Sequence, residues 1–264
     1  MQLAPIGTAR LLEGARPLKA NNVNPTYLGQ IMTSDGVVRS AIIKDVGSRE
    51  LGVELLVAAL GKLMGYTIPN AFLAISEKAL PSAKGPTLAS GQHLFFASEN
   101  AHSPPLGQFL RSSAEGNIAL LKNLATRPEI RSLFALDIWT ANVDRHAWNL
   151  LIGPTVLWFI DHGQCLGGAH TTYSALKADH QYPQKVTADL AVVMTEKQKT
   201  EVVEFCSTFP SSSAVVDAKT LLSVRIIEEV LGKPDFDLIA SFIDERKLYV
   251  PKLGASLMGK EILV

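Results

Sequence analysis

The sequence is poor in cysteine, has no charge of one dominant sign and has no long apolar run. Only Cys165 and Cys206 occur, and they form neither a CxxC pair nor a zinc-ligand spacing. That excludes a disulfide-built mini-scaffold and reads as two reduced thiols, as in a cytoplasmic protein. Lys plus Arg and Asp plus Glu balance at 25 each. A neutral chain gives no global drive toward nucleic acid or a membrane surface, and neither is expected as a partner. The longest apolar runs, such as Leu55 to Leu60, fall far short of the roughly 18 residues that span a bilayer. The segment MQLAPIGTARLLEG has no basic region leading into an apolar core, so it does not read as a secretory leader. No repeat period and no low-complexity tract stand out.

What is present is core-forming material. Of 264 residues, 47% are hydrophobic and 19% charged, which suits one large domain or two smaller units sharing a cleft. The first third reads as strands with one helix. Tyr27 to Met32 and Val37 to Lys44 are apolar or β-branched and flank Ser34-Asp35-Gly36, a hairpin signal. Ser48 is placed to cap a helix from about Arg49 to Met64, stopped by Gly65. Strands are expected at Ala71 to Ile75 and His93 to Ala97, and Ser98 to Gly107 is the best boundary. Helices are then expected at Asn117 to Leu124, Glu129 to Thr140, Ala188 to Val193, Glu196 to Ser207, Ala214 to Leu231 and Pro234 to Glu245. The polar segment Gly163 to Val186 reads as a functional loop or lid. Trp139, Trp148 and Trp158 read as core aromatics.

The chemistry concentrates in Asp137 to Gly163, DIWTANVDRHAWNLLIGPTVLWFIDHG. A helix ends, a polar loop follows, and a tight hairpin around Gly153-Pro154-Thr155 returns the chain to Asp161. Asp144, Asn149 and Asp161 all stand at ends of short elements, so one hairpin can bring three oxygen-bearing side chains together. Mg²⁺ prefers oxygen ligands and takes few of them from protein, with phosphates and water completing its shell. One Asp and one Asn suit it. A further carboxylate can orient an attacking hydroxyl, and phosphoryl transfer needs little else but positioning and charge neutralisation. Arg145 has a structural reading, tying the loop to Asp137. His146 and His162, with no third His or Cys nearby, read as loop-organising groups rather than zinc ligands.

The D-x-x-x-x-N spacing from Asp144 to Asn149 equals that of the protein-kinase catalytic loop. The order N-x-D-R-H-x-x-N-L, a hairpin, then I-D-H-G resembles the HipA-like kinase family. It is more distantly similar to the phosphatidylinositol 3-/4-kinase catalytic region. The resemblance covers roughly residues 15 to 240 and implies a two-lobed, protein-kinase-like α+β fold. Residues 1–100 would form a small antiparallel-sheet lobe with one helix. Residues 101–264 would form a helical lobe carrying the catalytic loop and the metal-binding hairpin. It implies ATP and Mg²⁺ as cofactors, with Asp144 the catalytic residue and Asn149 and Asp161 the metal ligands. Lys44 would hold the α/β-phosphates and pair with Glu54, with Glu50 in reserve. The strand Leu94 to Glu99 would meet adenine through Phe96 and Ala97.

There are departures from the pattern. No G-x-G-x-x-G precedes Lys44, and the equivalent stretch is Lys19 to Thr26. The chain is also short beside full-length HipA toxins, so the expected activity is that of a compact stand-alone kinase acting on Ser or Thr of a protein. A lipid or small-molecule kinase, and a pseudokinase serving as a nucleotide-binding or interaction module, are the alternatives. Thr171, Thr172, Tyr173 and Ser174 are candidate phosphosites.

Overall fold

A computed structural model describes residues 6–18, 24–218 and 224–261. Strands β1 (Ile6–Leu11), β2 (Arg16–Pro17), β3 (Thr26–Thr33), β4 (Val38–Lys44), β5 (Ala71–Ser76) and β6 (His93–Glu99) make one sheet, with helix α1 (Ser48–Leu63) between β4 and β5. The strand order is β1-β5-β6-β4-β3-β2, and β1 also pairs with β3. That extra pairing closes five strands into a small barrel. An antiparallel sheet was expected. The ladder is mixed instead, because β1 runs parallel to β5 while the other pairs are antiparallel.

A five-stranded barrel is narrow, so its interior takes small side chains among a few large ones. Ala9, Leu11, Tyr27, Ile31, Ala41, Ile43, Ala74, Phe95 and Ala97 fill it. The period of two then sends their neighbours outward. Leu73, Leu94 and Phe96 join the second, larger core that reaches α1 and the helices beyond. Lys44, one step past Ile43 and opposite Phe96, is turned the same way.

Helix α1 is buried without a break from Leu51 to Gly61, as an all-round apolar helix must be. Its N-cap is Gly47, with no side-chain cap, and Ser48 is already helical. On one side it packs on β5 and β6, on the other on the later helix α7. A Cβ on Gly52 would lie 2.3 Å from Leu231 Cγ, so this residue permits the approach.

The rest is mainly helical: α2 (Ala114–Leu124), α3 (Glu129–Trp139), α4 (Val186–Val193), α5 (Glu196–Ser207), α6 (Phe209–Ser212), α7 (Val224–Leu231), α8 (Lys233–Arg246) and α9 (Val250–Leu257). A hairpin of β7 (Leu150–Ile152) and β8 (Leu157–Phe159) stands between α3 and α4. The helix expected over 214–231 shortens to α7; residues 219–223 lie outside the described residues. Helix α9, which the sequence reading did not anticipate, packs on α3 and α5. Both cysteines are free and buried. Among the described residues no helix is long and apolar enough to cross a membrane.

Trp139 is fully buried and donates its indole N–H to the Ile243 carbonyl at 2.9 Å. Trp148 corrects the core reading, because it is 53% exposed. Its indole is seated on Gly107, where a Cβ would come within 2.4 Å of the ring.

Candidate active site

Three elements distant in sequence meet at Lys44. It is the last residue of β4, and its Nζ donates to Glu54 Oε1 from α1 and to Asp161 Oδ1 at 2.8 Å. Glu54 is fully buried, and its other oxygen accepts the His162 backbone N–H at 2.9 Å. The helix therefore holds both the lysine and the chain just after β8. The Lys44 ammonium also lies 5.8 Å from the Phe96 ring centroid, within cation–π range.

Burial, the largest influence on this cluster, opposes charge on all of it. At Lys44 it is outweighed by Asp161 and Glu54, so the ammonium is held more firmly than usual. At Asp161 it is outweighed by Lys44, and the carboxyl sits below its ordinary range. At Glu54 burial wins, and its proton affinity is raised. Glu50, one turn earlier on α1, is pushed up to about 7, first by burial and then by Glu54 and Asp161 against the pull of Lys44. Its Oε1 accepts from Asn24 Nδ2 at 2.5 Å. Of the two glutamates considered for the lysine, Glu54 makes the contact.

Asp161 adopts φ +60, a left-handed conformation uncommon outside glycine. Such strain persists only where the surroundings fix it, and Arg145 supplies the fixing. This arginine is 1% exposed. It donates to Asp137 through Nε at 3.1 Å and Nη2 at 3.0 Å. Nη1 donates to the carbonyls of Asn149 at 3.2 Å and Ile160 at 2.5 Å, and Nη2 meets His162 Nδ1 at 3.1 Å. One guanidinium thus ties α3, the 142–149 loop and the residues flanking Asp161. The structural reading of Arg145 is the one observed. Beside it His162 is kept neutral, its pKa lowered by burial and then by Arg145.

Asp144 is held from both sides of its main chain. Its N–H donates to Asn142 Oδ1 at 3.0 Å, and its carbonyl accepts from Asn149 Nδ2 at 3.0 Å. Its carboxylate meets the ammonium of Lys185, and His146 Nε2 lies 3.7 Å away. His146 Nδ1 accepts the Trp148 N–H, a cap for the turn that carries Asn149. Sequence reasoning missed Lys185, because nothing in the polar stretch before α4 marks one lysine.

Ligand oxygens of Glu50, Glu54 and Asp161 lie within 4.8 Å of one another. Glu54 is committed to Lys44 and His162, which leaves Glu50 and Asp161. An all-oxygen donor set carrying more negative charge than Lys44 balances fits a hard divalent cation. Asn149 is buried and spends its NH₂ on the Asp144 carbonyl.

Phe96 and Ala97 do not fit the adenine-meeting role. Both lie inside β6, paired with Lys44 and Ile43 of β4 on one side and with Leu73 and Phe72 of β5 on the other. Their backbone groups are spent in the two ladders. Main chain leaves the sheet only after Glu99, over Asn100 to Pro105. Of the stretch expected to contact phosphates, residues 19–23 lie outside the described residues.

The segment 163–186 is packed rather than loose. Leu166 and Gly167 donate backbone N–H groups to the Thr140 and Ala141 carbonyls. Arg49 of α1 donates to the carbonyls of Gly168 and Thr171 at 3.2 and 2.6 Å and covers the Tyr173 ring at 4.1 Å. Arg246 of α8 donates to the carbonyls of Lys177, Ala178 and His180. Of the candidate phosphosites, Thr172 and Ser174 are exposed and Tyr173 is buried.

No protein-family model matches this chain, and no curated protein does. Among solved structures, a Helicobacter pylori proinflammatory kinase CtkA is similar at 10% identity and a TM-score of 0.44, over 87% of this chain and 93% of that chain. A likeness that distant assigns neither fold nor activity.

Proposed function

We propose that the protein is a kinase of the HipA-like type, a two-lobed cytoplasmic enzyme that transfers the γ-phosphoryl group of ATP to a hydroxyl. The observation that carries this reading is the convergence of Lys44, Glu54 and Asp161, with Lys44 and Asp161 117 positions apart. Lys44, paired with a buried glutamate at one end of its reach and an aspartate at the other, is placed to steady phosphates. In this reading residues 1–100 and 101–264 form the two lobes, with the nucleotide between β4 and the 144–161 hairpin. Asp161 and Asn149, with Glu50 adjacent, would hold Mg²⁺. When bound, the ion supplies charge neutralisation on the phosphates. Asp144 orients the acceptor hydroxyl, whose protein Ser or Thr character follows from the resemblance. Adenine would be met by main chain between Asn100 and Pro105 rather than by Phe96 and Ala97.

Calorimetry of ATP with and without Mg²⁺ tests the reading, with Asp161→Ala as control. Saturable, Mg²⁺-dependent binding lost in the variant is expected. No binding by the wild type would overturn it and favour an interaction module. Transfer of label from γ-³²P-ATP to Ser/Thr peptides, compared with phosphoinositide vesicles, then separates protein from lipid acceptors.

A further inference from the structure

Asp45, the residue after Lys44, is 0% exposed. Among the described residues the partners of its carboxylate all come from the loop between β5 and β6, and none of them is a cation. Oδ2 accepts the Ser82 hydroxyl, and Oδ1 accepts the backbone N–H groups of Lys84 at 3.2 Å and Gly85 at 2.6 Å. A buried carboxylate without a counter-ion persists only where hydrogen bonds satisfy it. Two successive N–H groups cupping an anion form a nest, and here the chain's own carboxylate fills it. The loop is bent to make that nest. Ala83 has φ +46, in the left-handed region. A Cβ on Gly85 would lie 2.4 Å from the Leu94 carbonyl oxygen and 3.0 Å from Asp45 Oδ1. The anchor reaches into the barrel, where Ser82 Oγ lies 3.0 Å from the hydroxyl of buried Tyr27. On the main chain, the Asp45 N–H donates to the Pro25 carbonyl at 3.1 Å, just beyond the Thr26–Lys44 pair that ends the β3–β4 ladder. Lys84 of the same loop is among the charges that act on Glu50, so the anchor stands beside the site.

From this placement, and resting on the kinase reading above, we propose that Asp45 is a positioning residue for Lys44, a clamp that fixes the end of β4 to the 82–85 loop. Lys44 is the last paired residue of β4 in both of its ladders, opposite Thr26 and Phe96. Helix α1, which carries Glu54, starts at Ser48 after an N-cap, Gly47, that has no side-chain cap. Between the last rung and the helix, Asp45 is where a side chain ties the connection down. Its anchor therefore sets where the Lys44 main chain stops and where α1 sets off, and with them the reach of the ammonium beside Glu54. In the kinase reading that ammonium serves phosphates, so the contact with Asp161 cannot also be what holds it. A lysine whose stem is already fixed loses less freedom when it meets a phosphate, and that saving appears as affinity. The clamp works by geometry, not by charge. An asparagine at 45 keeps an oxygen for the two N–H groups, and its NH₂ can donate to Ser82 Oγ while the Ser82 hydroxyl turns to Tyr27. An alanine leaves three donors without their acceptor.

The test compares wild type with Asp45→Ala, Asp45→Asn and Ser82→Ala. Calorimetry reads the affinity for ATP–Mg²⁺, and displacement of a fluorescent ADP analogue reads the affinity for adenosine, which has no phosphate for Lys44 to meet. The ratio of the two is the informative quantity, because general damage to the fold weakens both ligands alike. Asp45→Ala should bind ATP–Mg²⁺ roughly tenfold more weakly, the scale of one net hydrogen bond, with adenosine unchanged. Asp45→Asn should recover most of the loss. Ser82→Ala removes one of the three donors and should lower the ratio in the same direction by less, which keeps the test open if Asp45→Ala fails to fold. An unchanged ratio in Asp45→Ala and Ser82→Ala, with ATP–Mg²⁺ bound as in wild type, would overturn the clamp and leave the kinase reading intact. Equal weakening of ATP–Mg²⁺ and adenosine would also overturn it and make Asp45 a purely structural residue. Asparagine behaving like alanine would overturn it by showing that the charge is what matters. A wild type that binds neither ATP–Mg²⁺ nor the ADP analogue would remove the kinase reading itself and this proposal with it.

Discussion

Arg145 and Arg246 are each 1% exposed, and the protein accommodates them by different means. Arg145 faces a buried carboxylate, Asp137, and then spends its remaining donors on the carbonyls of Asn149 and Ile160 and on His162. Burial opposes its charge, but Asp137 outweighs burial and its pKa is raised. Among the described residues Arg246 donates to carbonyls: Ile138 at the end of α3, and Lys177, Ala178 and His180. The rings of Tyr182 and Phe242 lie 4.9 and 5.4 Å from its Cζ. Burial lowers its pKa to about 10, so it is still charged at neutral pH. The difference separates two jobs. Arg145 fixes the groups around Asp161 with a charge pair that fails if either partner is lost. Arg246 staples a loop to the helices with dipoles and ring faces, which fail gradually.

The comparison breaks hardest at Arg145. Arg145→Met leaves the Asp137 carboxylate buried without its cation, and urea unfolding should show a loss of about 3–5 kcal/mol. Adding Asp137→Leu should recover a good part of it, because the orphaned charge is gone. Arg246→Met leaves carbonyls short of a donor but no buried charge behind. Its cost should be smaller, about 1–3 kcal/mol, and limited proteolysis should find new cuts near 177–180. Equal losses for the two single variants, with no rescue by the double, would erase the distinction.

Much of the site was legible because its spacing is short and its residue types are few. The hairpin that returns the chain to Asp161, and the period of β4 that turns Lys44 the same way as Phe96, could be read from local signals. Asp144 and Asn149 lie in the loop before β7, where the Asp144 carboxylate meets Lys185 and His146. The hairpin turn at Asp35-Gly36 and the limits of α5 followed from local signals alone. What was hidden depends on distant pairing. β1 has the burial pattern BieBeB, with no clean alternation, so neither its existence nor its closure onto β3 could be read. Its parallel pairing with β5 makes the sheet mixed. The resemblance assigned Phe96 and Ala97 to adenine, and they are interior because β4 and β5 flank them. Trp148 was read as core by residue type, and only the bare backbone of Gly107 explains its seat on the surface. Lys185 and Arg49 carry no local signature, since their value comes from where the 163–186 segment is tied.

The smallest expected effect extends the contrast to a half-buried carboxyl, Glu50. The groups facing it are Lys44, Glu54, Asp161 and Lys84, with Asn24 on its carboxyl. Its pKa rises from 4.5 to about 7 on folding, chiefly through burial. Below 4.5 both folded and unfolded chains carry the proton, and Glu50 has no effect. Between 4.5 and 7 the folded chain binds more protons than the unfolded one, so its contribution to stability falls as pH rises, and the full penalty is present above 7. His162 has the opposite sign. Its folded pKa is lowered, so its contribution falls as pH drops below 6.5. The wild-type curve alone therefore mixes the two, and the informative quantity is a difference. Measured in chelator, the melting temperature of Glu50→Gln minus that of wild type should climb from pH 5 to pH 7 and then level. A difference that stays flat would mean that Glu50 is as well solvated in the folded protein as in the unfolded chain.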